Sequence, residues 1–183
     1  IGLVVGVLLG LLTALGVAVF AIVIFFAAEV AASFFRRASE APPAGPRGPI
    51  AVVIPAHDEE AGIAATVSAA RAQLEAGDRI LVVADNCSDK TAAAARAAGA
   101  EVAERLDAEH RGKGYALQHG VDQLRASPPE TVVFLDADCD VAPGAIDRIA
   151  RRAVQRQRPV QALYLARPAA EAGPASAVSA FAW

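Results

Sequence analysis

Thr131-Val132-Val133-Phe134-Leu135-Asp136-Ala137-Asp138-Cys139-Asp140 is an apolar, partly β-branched run that passes directly into alternating carboxylates. The first half reads as a short buried strand. Pro143, just beyond, is placed to open a helix that turns Ile146, Ile149 and Ala153 inward. An apolar strand feeding a helix is a repeating unit of an α/β fold, so more such units are expected along the chain. Upstream, Ile50-Ala51-Val52-Val53-Ile54 runs into Pro55, and Ile63, Val67, Ala70 and Leu74 follow at helical spacing as far as Gly77. Arg79-Ile80-Leu81-Val82-Val83-Ala84 repeats the strand signal, and Ser88 or Asp89 is suited to cap an Ala-rich helix that stops at Gly99. Glu101 to Glu104 reads as a weaker third strand. A helix is expected from Gly114 to Leu124, with Leu117, Val121 and Leu124 on one face, and a last strand from Val160 to Leu165. Near-continuous apolar strands alternating with helices imply a mostly parallel sheet covered by helices on both faces. Such sheets bind ligands outside their carboxyl ends, where the acid clusters of this chain lie.

The chain has 183 residues, of which 55% are hydrophobic and 20% charged, a composition that excludes disordered and collagen-like classes. A net charge of −3 argues against nucleic acid as a partner, since binding to a phosphate backbone needs a basic surface. Cys87 and Cys139 are too far apart for a metal knuckle and too few for a disulfide scaffold, so both read as reduced thiols. Ile1 to Ala28 carries no charge. As a helix it would be about 42 Å long against a hydrocarbon core of about 30 Å, enough to span with tilt. A signal peptide cleaved near Ala27-Ala28-Glu29-Val30-Ala31 is the competing reading, but its apolar region is normally only about 7 to 15 residues long. Arg36, Arg37 and then Arg47 follow the span, and the positive-inside rule puts that side in the cytoplasm, with a bacterial inner membrane as the expected location. Glu40 to Pro49 holds four prolines and two glycines and reads as a linker. The expected organisation is a transmembrane helix within 1–35, a linker at 36–49 and a soluble domain from Ile50.

The strand ends carry the chemistry. After the first strand the chain reads Ile54-Pro55-Ala56-His57-Asp58-Glu59-Glu60 instead of Gly-x-Gly-x-x-Gly, which argues against a nicotinamide or flavin enzyme, and no P-loop is present. After the second strand, Asp85 is placed to accept hydrogen bonds from a base or ribose, while Asp89 reads as a helix cap. In extended backbone alternate residues share a side, so Asp136, Asp138 and Asp140 are expected to converge if the strand geometry continues. Carboxylates that close repel one another unless they share a hard divalent cation, and oxygen ligands suit Mg²⁺ or Mn²⁺ holding a diphosphate. The competing reading is a solvated turn in which Asp140 caps the next helix. Arg111-Gly112-Lys113-Gly114 precedes a helix, where backbone amides and the Lys113 charge suit a phosphate; alone, Lys113 reads equally as a surface charge. His57, His110 and His119 lack the spacing of a metal-binding helix pair. Arg148, Arg151, Arg152, Arg156 and Arg158 form a basic run that reads as a solvated face and also suits anionic lipid headgroups.

Taken in order, Pro55-x-His57-x-Glu59, Ala84-Asp85-Asn86, Gly112-Lys113-Gly114-Tyr115-Ala116-Leu117 and Asp136-Ala137-Asp138 resemble the family 2 inverting glycosyltransferases over about residues 50 to 165. The likeness is greatest to the membrane-bound branch with cellulose synthase and poly-N-acetylglucosamine synthase. The resemblance implies a glycosyltransferase A fold that binds a nucleotide-sugar, a UDP-sugar for choice, with Mg²⁺ or Mn²⁺, and passes the sugar to a glycan or lipid acceptor. On that pattern Pro55, His57 and Glu59 line the base and ribose pocket, Asp85 contacts the base and Lys113 lies by the nucleotide. Asp136 faces the ribose or sugar, Asp138 ligates the metal and Asp140 is a second ligand. Asp58 stands where the family commonly has Asn. The family's catalytic base and its Gln-x-x-Arg-Trp segment are expected beyond Trp183, so residues 50–183 read as the donor half of an enzyme, inactive in isolation. Three other readings compete. A sugar nucleotidyltransferase would need a Gly- and Arg-rich loop after the first strand, and a haloacid dehalogenase-type phosphatase would need its Asp-x-Asp on that strand. The third is a degenerate nucleotide-binding module without activity.

Overall fold

The computed structural model of the chain describes residues 2–34, 43 and 45–162. They fall into two units that divide between Pro42 and Pro43. The first holds α1 (Gly2–Phe34), a helix of 33 residues that is apolar on every side and runs unbroken through Ala27 to Ala31. Within it, Val4–Ala32 is long and apolar enough to cross a membrane. A helix with no polar face has nothing to turn toward water, and exposed side chains such as Leu8, Leu12, Leu15 and Phe20 suit it to a lipid environment.

The second unit alternates strand and helix: β1 (Ile50–Ala56), α2 (Ile63–Arg71), β2 (Arg79–Asp85), α3 (Thr91–Ala97), β3 (Glu101–Arg105), α4 (Lys113–Leu124), β4 (Thr131–Phe134) and α5 (Ala145–Arg156). Every described strand pair is parallel, in the order β3-β2-β1-β4. Alternation along β1 builds two cores. Ile50, Val52 and Ile54 pack with Ile63 and Val67 of α2, Ala95 of α3 and Ile146 and Ala150 of α5. Ala51 and Val53 face the other way, onto Ala116 and Leu124 of α4. The sheet is therefore covered on both faces, as the apolar strands imply.

Three local expectations change. The seam of α4 is Ala116, Gly120 and Leu124, with Leu117 packed beside it and Val121 half-buried. A Cβ on Gly120 would lie 2.7 Å from Val53 Cγ1 and 3.0 Å from Val83 Cγ2, so the helix sits closer to the sheet than larger residues permit. On α5 the buried pair is Ile146 and Ala150, while Ile149 and Ala153 are half-buried. Val160 to Ala162 form no strand, and the rest of that expected element lies outside the described residues.

The linker is also more than a linker, because its last residues are built into the amino end of the sheet. Arg47, expected to flank a membrane, has a side chain only 2% exposed. Its guanidinium donates to both oxygens of Asp78 at 2.9 and 2.8 Å, and its Nε donates to Asp147 at 2.9 Å. Asp78 also accepts the amides of Ile50 at 3.0 Å and Glu75 at 2.8 Å, and Pro49 O accepts from Glu130 N at 2.9 Å. The hydrogen bond to Asp78 raises the pKa of Arg47 against the opposing pull of burial. Burial would push the Asp78 carboxyl up, but the donors from Arg47, Ile50 and Glu75 outweigh it and hold the group below its ordinary range.

Candidate active site

The chain runs outward from β1 to β2 and β3, then returns over α4 to place β4 on the other side of β1. The point where strand order reverses lies between β1 and β4, and Pro55 opens it. The β1–β4 ladder ends with Leu135 N donating to Val53 O at 3.1 Å, and the next amide on that side of β1 would be that of residue 55. Proline has no N–H to give, so the two strands part above this point. The resulting cleft has a volume of about 370 Å³. Its walls include Pro55, His57, Glu59, Asp85, Lys113, Asp136 and Asp138, together with Asn86, Arg111 and Gly112.

One wall is fixed by the ends of β1 and β2. Asp58 and Asn86 take positive φ angles of 54° and 52°, turning the chain sharply off both strands. The two loops are braced to each other: Asp58 Oδ1 accepts from Ser88 N at 2.6 Å, Glu59 N donates to Thr91 Oγ at 2.7 Å, and Glu60 N donates to Asp89 Oδ2 at 3.0 Å. The Ser88 amide is the main reason the Asp58 carboxyl lies below its ordinary range. Asp89 stands one residue before the N-cap, Lys90, where it accepts from Thr91 N, the first amide of α3, at 2.9 Å, and its bond from Glu60 ties that helix to the β1 loop. His57 Nδ1 lies 2.7 Å from Asp85 O; a carbonyl only accepts, so Nδ1 carries the proton. Cys87 Sγ donates to Ala56 O at 3.5 Å, and burial pushes its thiol pKa up, which keeps it protonated rather than nucleophilic.

Asp85 is nearly buried and its Oδ1 accepts from Arg105 Nη1 at 2.7 Å and from Asn86 Nδ2 at 3.0 Å. Arg105, from the end of β3, continues to Asp107 Oδ2 at 3.0 Å and His110 O at 2.6 Å, and lies 5.6 Å over the Tyr115 ring. Sequence reasoning missed Arg105; the available signal was an arginine ending a strand directly beside the one that ends in Asp85.

The opposite wall comes from β4 and α4. Gly112, at φ 115°, opens α4, and neither it nor Gly114 has any atom within 4 Å of a Cβ position, leaving the first amides of the helix approachable. Lys113 Nζ pairs with Asp136 Oδ1 across the cleft. Beyond β4 the strand geometry stops: Cys139 N donates to Asp136 O at 3.2 Å and the chain turns. This corrects the premise that alternation would bring in Asp140. Asp136, Asp138 and Cys139 instead place ligand atoms within 4.8 Å of one another, and Asp140 stands outside that cluster and outside the cleft lining. The turn is held from below by α2 and the residues that follow it. Buried Thr66 donates through Oγ to Ala137 O at 2.6 Å, and Gln73 Oε1 accepts from Ile146 N at 3.3 Å at the start of α5.

Among solved structures the chain is similar to a mannosyltransferase from Pyrobaculum calidifontis in complex with GDP-Man and Mn²⁺, at 22% identity and TM-score 0.56, covering 70% of this chain and 39% of that one. A mycobacterial protein matches at 28% identity and TM-score 0.50, covering 59% and 37%. M. tuberculosis glucosyl-3-phosphoglycerate synthase matches at 28% identity and TM-score 0.47, covering 56% and 39%. The matched part thus spans well under half the length of these proteins. Among curated proteins none matches. Residues 51–170, more than half of the chain and the whole of the cleft, match the family described as Glycosyl transferase family 2, and the chain belongs to that family.

Proposed function

We infer that this chain is the donor-binding part of a membrane-anchored glycosyltransferase that moves a sugar from a nucleotide-sugar, a UDP-sugar, to a glycan or lipid acceptor with inversion. The observation that carries the reading is the cleft at the β1–β4 switch point, where Asp85, Lys113, Asp136 and Asp138 meet beside the glycine-rich start of α4. A nucleoside fits the β1–β2 wall, where the second oxygen of Asp85 takes a base N–H while Arg105 holds the first, with Pro55, His57 and Glu59 around the base and ribose. The diphosphate fits the amide end of α4.

The carboxylates of Asp136 and Asp138 suit a hard divalent cation, and the neighbouring Cys139 sulfur favours Mn²⁺ over Mg²⁺. When bound, such a cation neutralises the charge that develops on the departing diphosphate. Lys113 supplies a second positive charge at the same place. Paired with Asp136 across the cleft, Lys113 is within reach of a diphosphate held at the start of α4, and an exchange of partners leaves Asp136 to the ribose or sugar. The apolar α1 supports the membrane-bound branch of the family, with Arg36 and Arg37 marking the cytoplasmic side of a bacterial inner membrane.

Calorimetric titration of UDP with Mn²⁺ and with chelator tests the site. Binding is expected to be much tighter with the metal, because the diphosphate otherwise meets Asp136 and Asp138 unshielded; equal affinities would remove the metal role. Asp138→Asn should keep or raise the melting temperature while transfer by the full-length enzyme falls by about a hundredfold or more. A cap or turn residue would lose stability and keep activity.

A further inference from the structure

α5 divides cleanly along its length. At about 100° per residue, Ile146, Ile149, Ala150, Ala153 and Val154 fall on one arc, and Ile146 and Ala150 of that arc are buried against the sheet. Arg148, Arg151, Arg152, Gln155 and Arg156 fall on the other, and Arg158 follows the helix. The single acid on α5, Asp147, already accepts from Arg47 at 2.9 Å and from Arg151 at 2.8 Å. A chain of net charge −3 thus sets four arginines on one arc of α5, half-buried at Arg151, Arg152 and Arg156 and exposed at Arg148, on a face that lines neither the core nor the cleft; Arg151 also pairs with Glu75 at 3.6 Å.

We propose that the arginine face of α5 is a docking surface for anionic phospholipid headgroups. Guanidinium groups are planar, permanently charged and weakly hydrated, and they fork onto phosphate oxygens. The surface is also tied to the chain that leads from α1: Arg151 donates to Gly45 O, and Arg47 to Asp147. Gly45 is close in sequence to Phe34, the last residue of α1, so insertion of α1 makes the encounter of α5 with lipid intramolecular, at high effective concentration. This inference rests on the membrane anchoring proposed above. Nucleic acid, the other polyanion, is disfavoured by the acidic remainder of the chain.

The test places a photo-crosslinking amino acid at Gln155, within the arginine arc, in the full chain reconstituted into nanodiscs of phosphatidylcholine with about 30% phosphatidylglycerol, an anionic content that gives a negative surface potential. Lipid adducts are identified by mass. Adducts are expected to be enriched in phosphatidylglycerol above its share of the bilayer. They should fall about fivefold for each arginine removed in Arg148→Gln and Arg152→Gln. They should also collapse in about 1 M salt, where the Debye length is about 3 Å. Thermal melts check that the variants remain folded. Adducts in proportion to the lipid mixture, adducts insensitive to the variants, or no lipid adducts would each overturn the proposal. Alkaline extraction of the same sample reports on α1 separately: release of the chain removes the anchor, whereas retention without selective adducts removes only the α5 surface.

Discussion

The two ends of the sheet use the same chemistry, a basic side chain against aspartates, to opposite effect. At the amino end, Arg47 and Asp78 are 2% and 1% exposed, and Asp78 meets the guanidinium and two backbone amides together. At the carboxyl end, Lys113 and Asp136 are 57% and 38% exposed, and their pair spans an open cleft. Charges with every valence satisfied inside a dry site hold a structure together, because removing one strands the other in low dielectric. Charges paired across water can be exchanged for a ligand at little cost. The contrast marks the lower end as scaffold and the upper end as site.

The sharpest way to break this contrast is Arg47→Met. With Asp78 deprived of its cation and Asp147 left with Arg151 alone, the domain should lose about 3 kcal/mol or more, read by urea melts, while UDP binding to the remaining folded fraction is unchanged. A chain begun at Ile50, the boundary the sequence suggests, should fare no better because it lacks Arg47. The same network predicts the acid response. The Asp78 carboxyl is depressed in the folded state, so its contribution is fully present above the ordinary carboxylate range and is lost as pH falls through the folded value. The loss of stability below that range should shrink in Arg47→Met, and an unchanged acid profile would remove Arg47 from the account.

Much of the upper end was legible in sequence because its residues lie where apolar runs stop. Pro55, His57, Glu59, Asp85, Lys113, Asp136 and Asp138 all line one cleft, since parallel strands deliver their carboxyl ends to one edge. Alternation was expected to bring in Asp140 only if the strand geometry continued, and β4 ends at Phe134, with Asp140 outside the cleft lining. Arg47 was misread because its partners Asp78 and Asp147 are distant in sequence, and a Pro/Gly-rich stretch announces flexibility whether or not one of its side chains is buried. Thr66 was invisible for a related reason: its partner, the Ala137 carbonyl, is a backbone atom and leaves no residue signature.

Thr66 is the place where scaffold reaches into site, and Thr66→Val separates the two. The change keeps the shape and removes the donor, leaving the Ala137 carbonyl buried without a partner, at a cost of about 1 to 3 kcal/mol. Because Ala137 stands between Asp136 and Asp138, Mn²⁺-dependent UDP binding should weaken along with the melting temperature. Thr66→Ser restores the hydroxyl and should recover the binding, even where the lost methyl keeps stability lower. If Thr66→Val lowers stability but leaves Mn²⁺-dependent binding intact, the turn is held by other contacts.

Lys113→Ala reads the exchangeable pair directly, and the sign of the effect should depend on the ligand. For Mn²⁺ alone the variant removes a competing cation from Asp136, so affinity should rise by up to about fivefold, the range of an exposed ion pair. For UDP with Mn²⁺ the phosphate loses a positive partner and affinity should fall. Stability should hardly move. A fall in both affinities would mean that Lys113 orders the site rather than occupying it, and the two titrations done by calorimetry on one preparation decide between these.

The smallest effect is expected where the brace between the loops is most tolerant. Asp58 sits at φ 54°, a left-handed conformation in which Asn is at ease. In Asp58→Asn the retained Oδ1 still accepts from Ser88 N at 2.6 Å and Asp89 N at 3.3 Å, while the new amide faces the Ser88 hydroxyl, which reverses its role by rotating its proton. Melting temperature and UDP affinity should therefore be unchanged or slightly higher. Asp89→Asn, one turn of the brace away, should be less forgiving although Asn caps a helix as well as Asp does. Its carboxylate accepts from Thr91 N and Thr91 Oγ on one oxygen and from Glu60 N on the other, and a backbone amide cannot reverse. An amide there must turn its NH₂ on one of these donors, so the melting temperature should fall in Asp89→Asn and hold in Asp58→Asn. Equal falls in paired thermal melts would show that charge in this loop, rather than the direction of its hydrogen bonds, holds β1 and β2 in register at the mouth of the cleft.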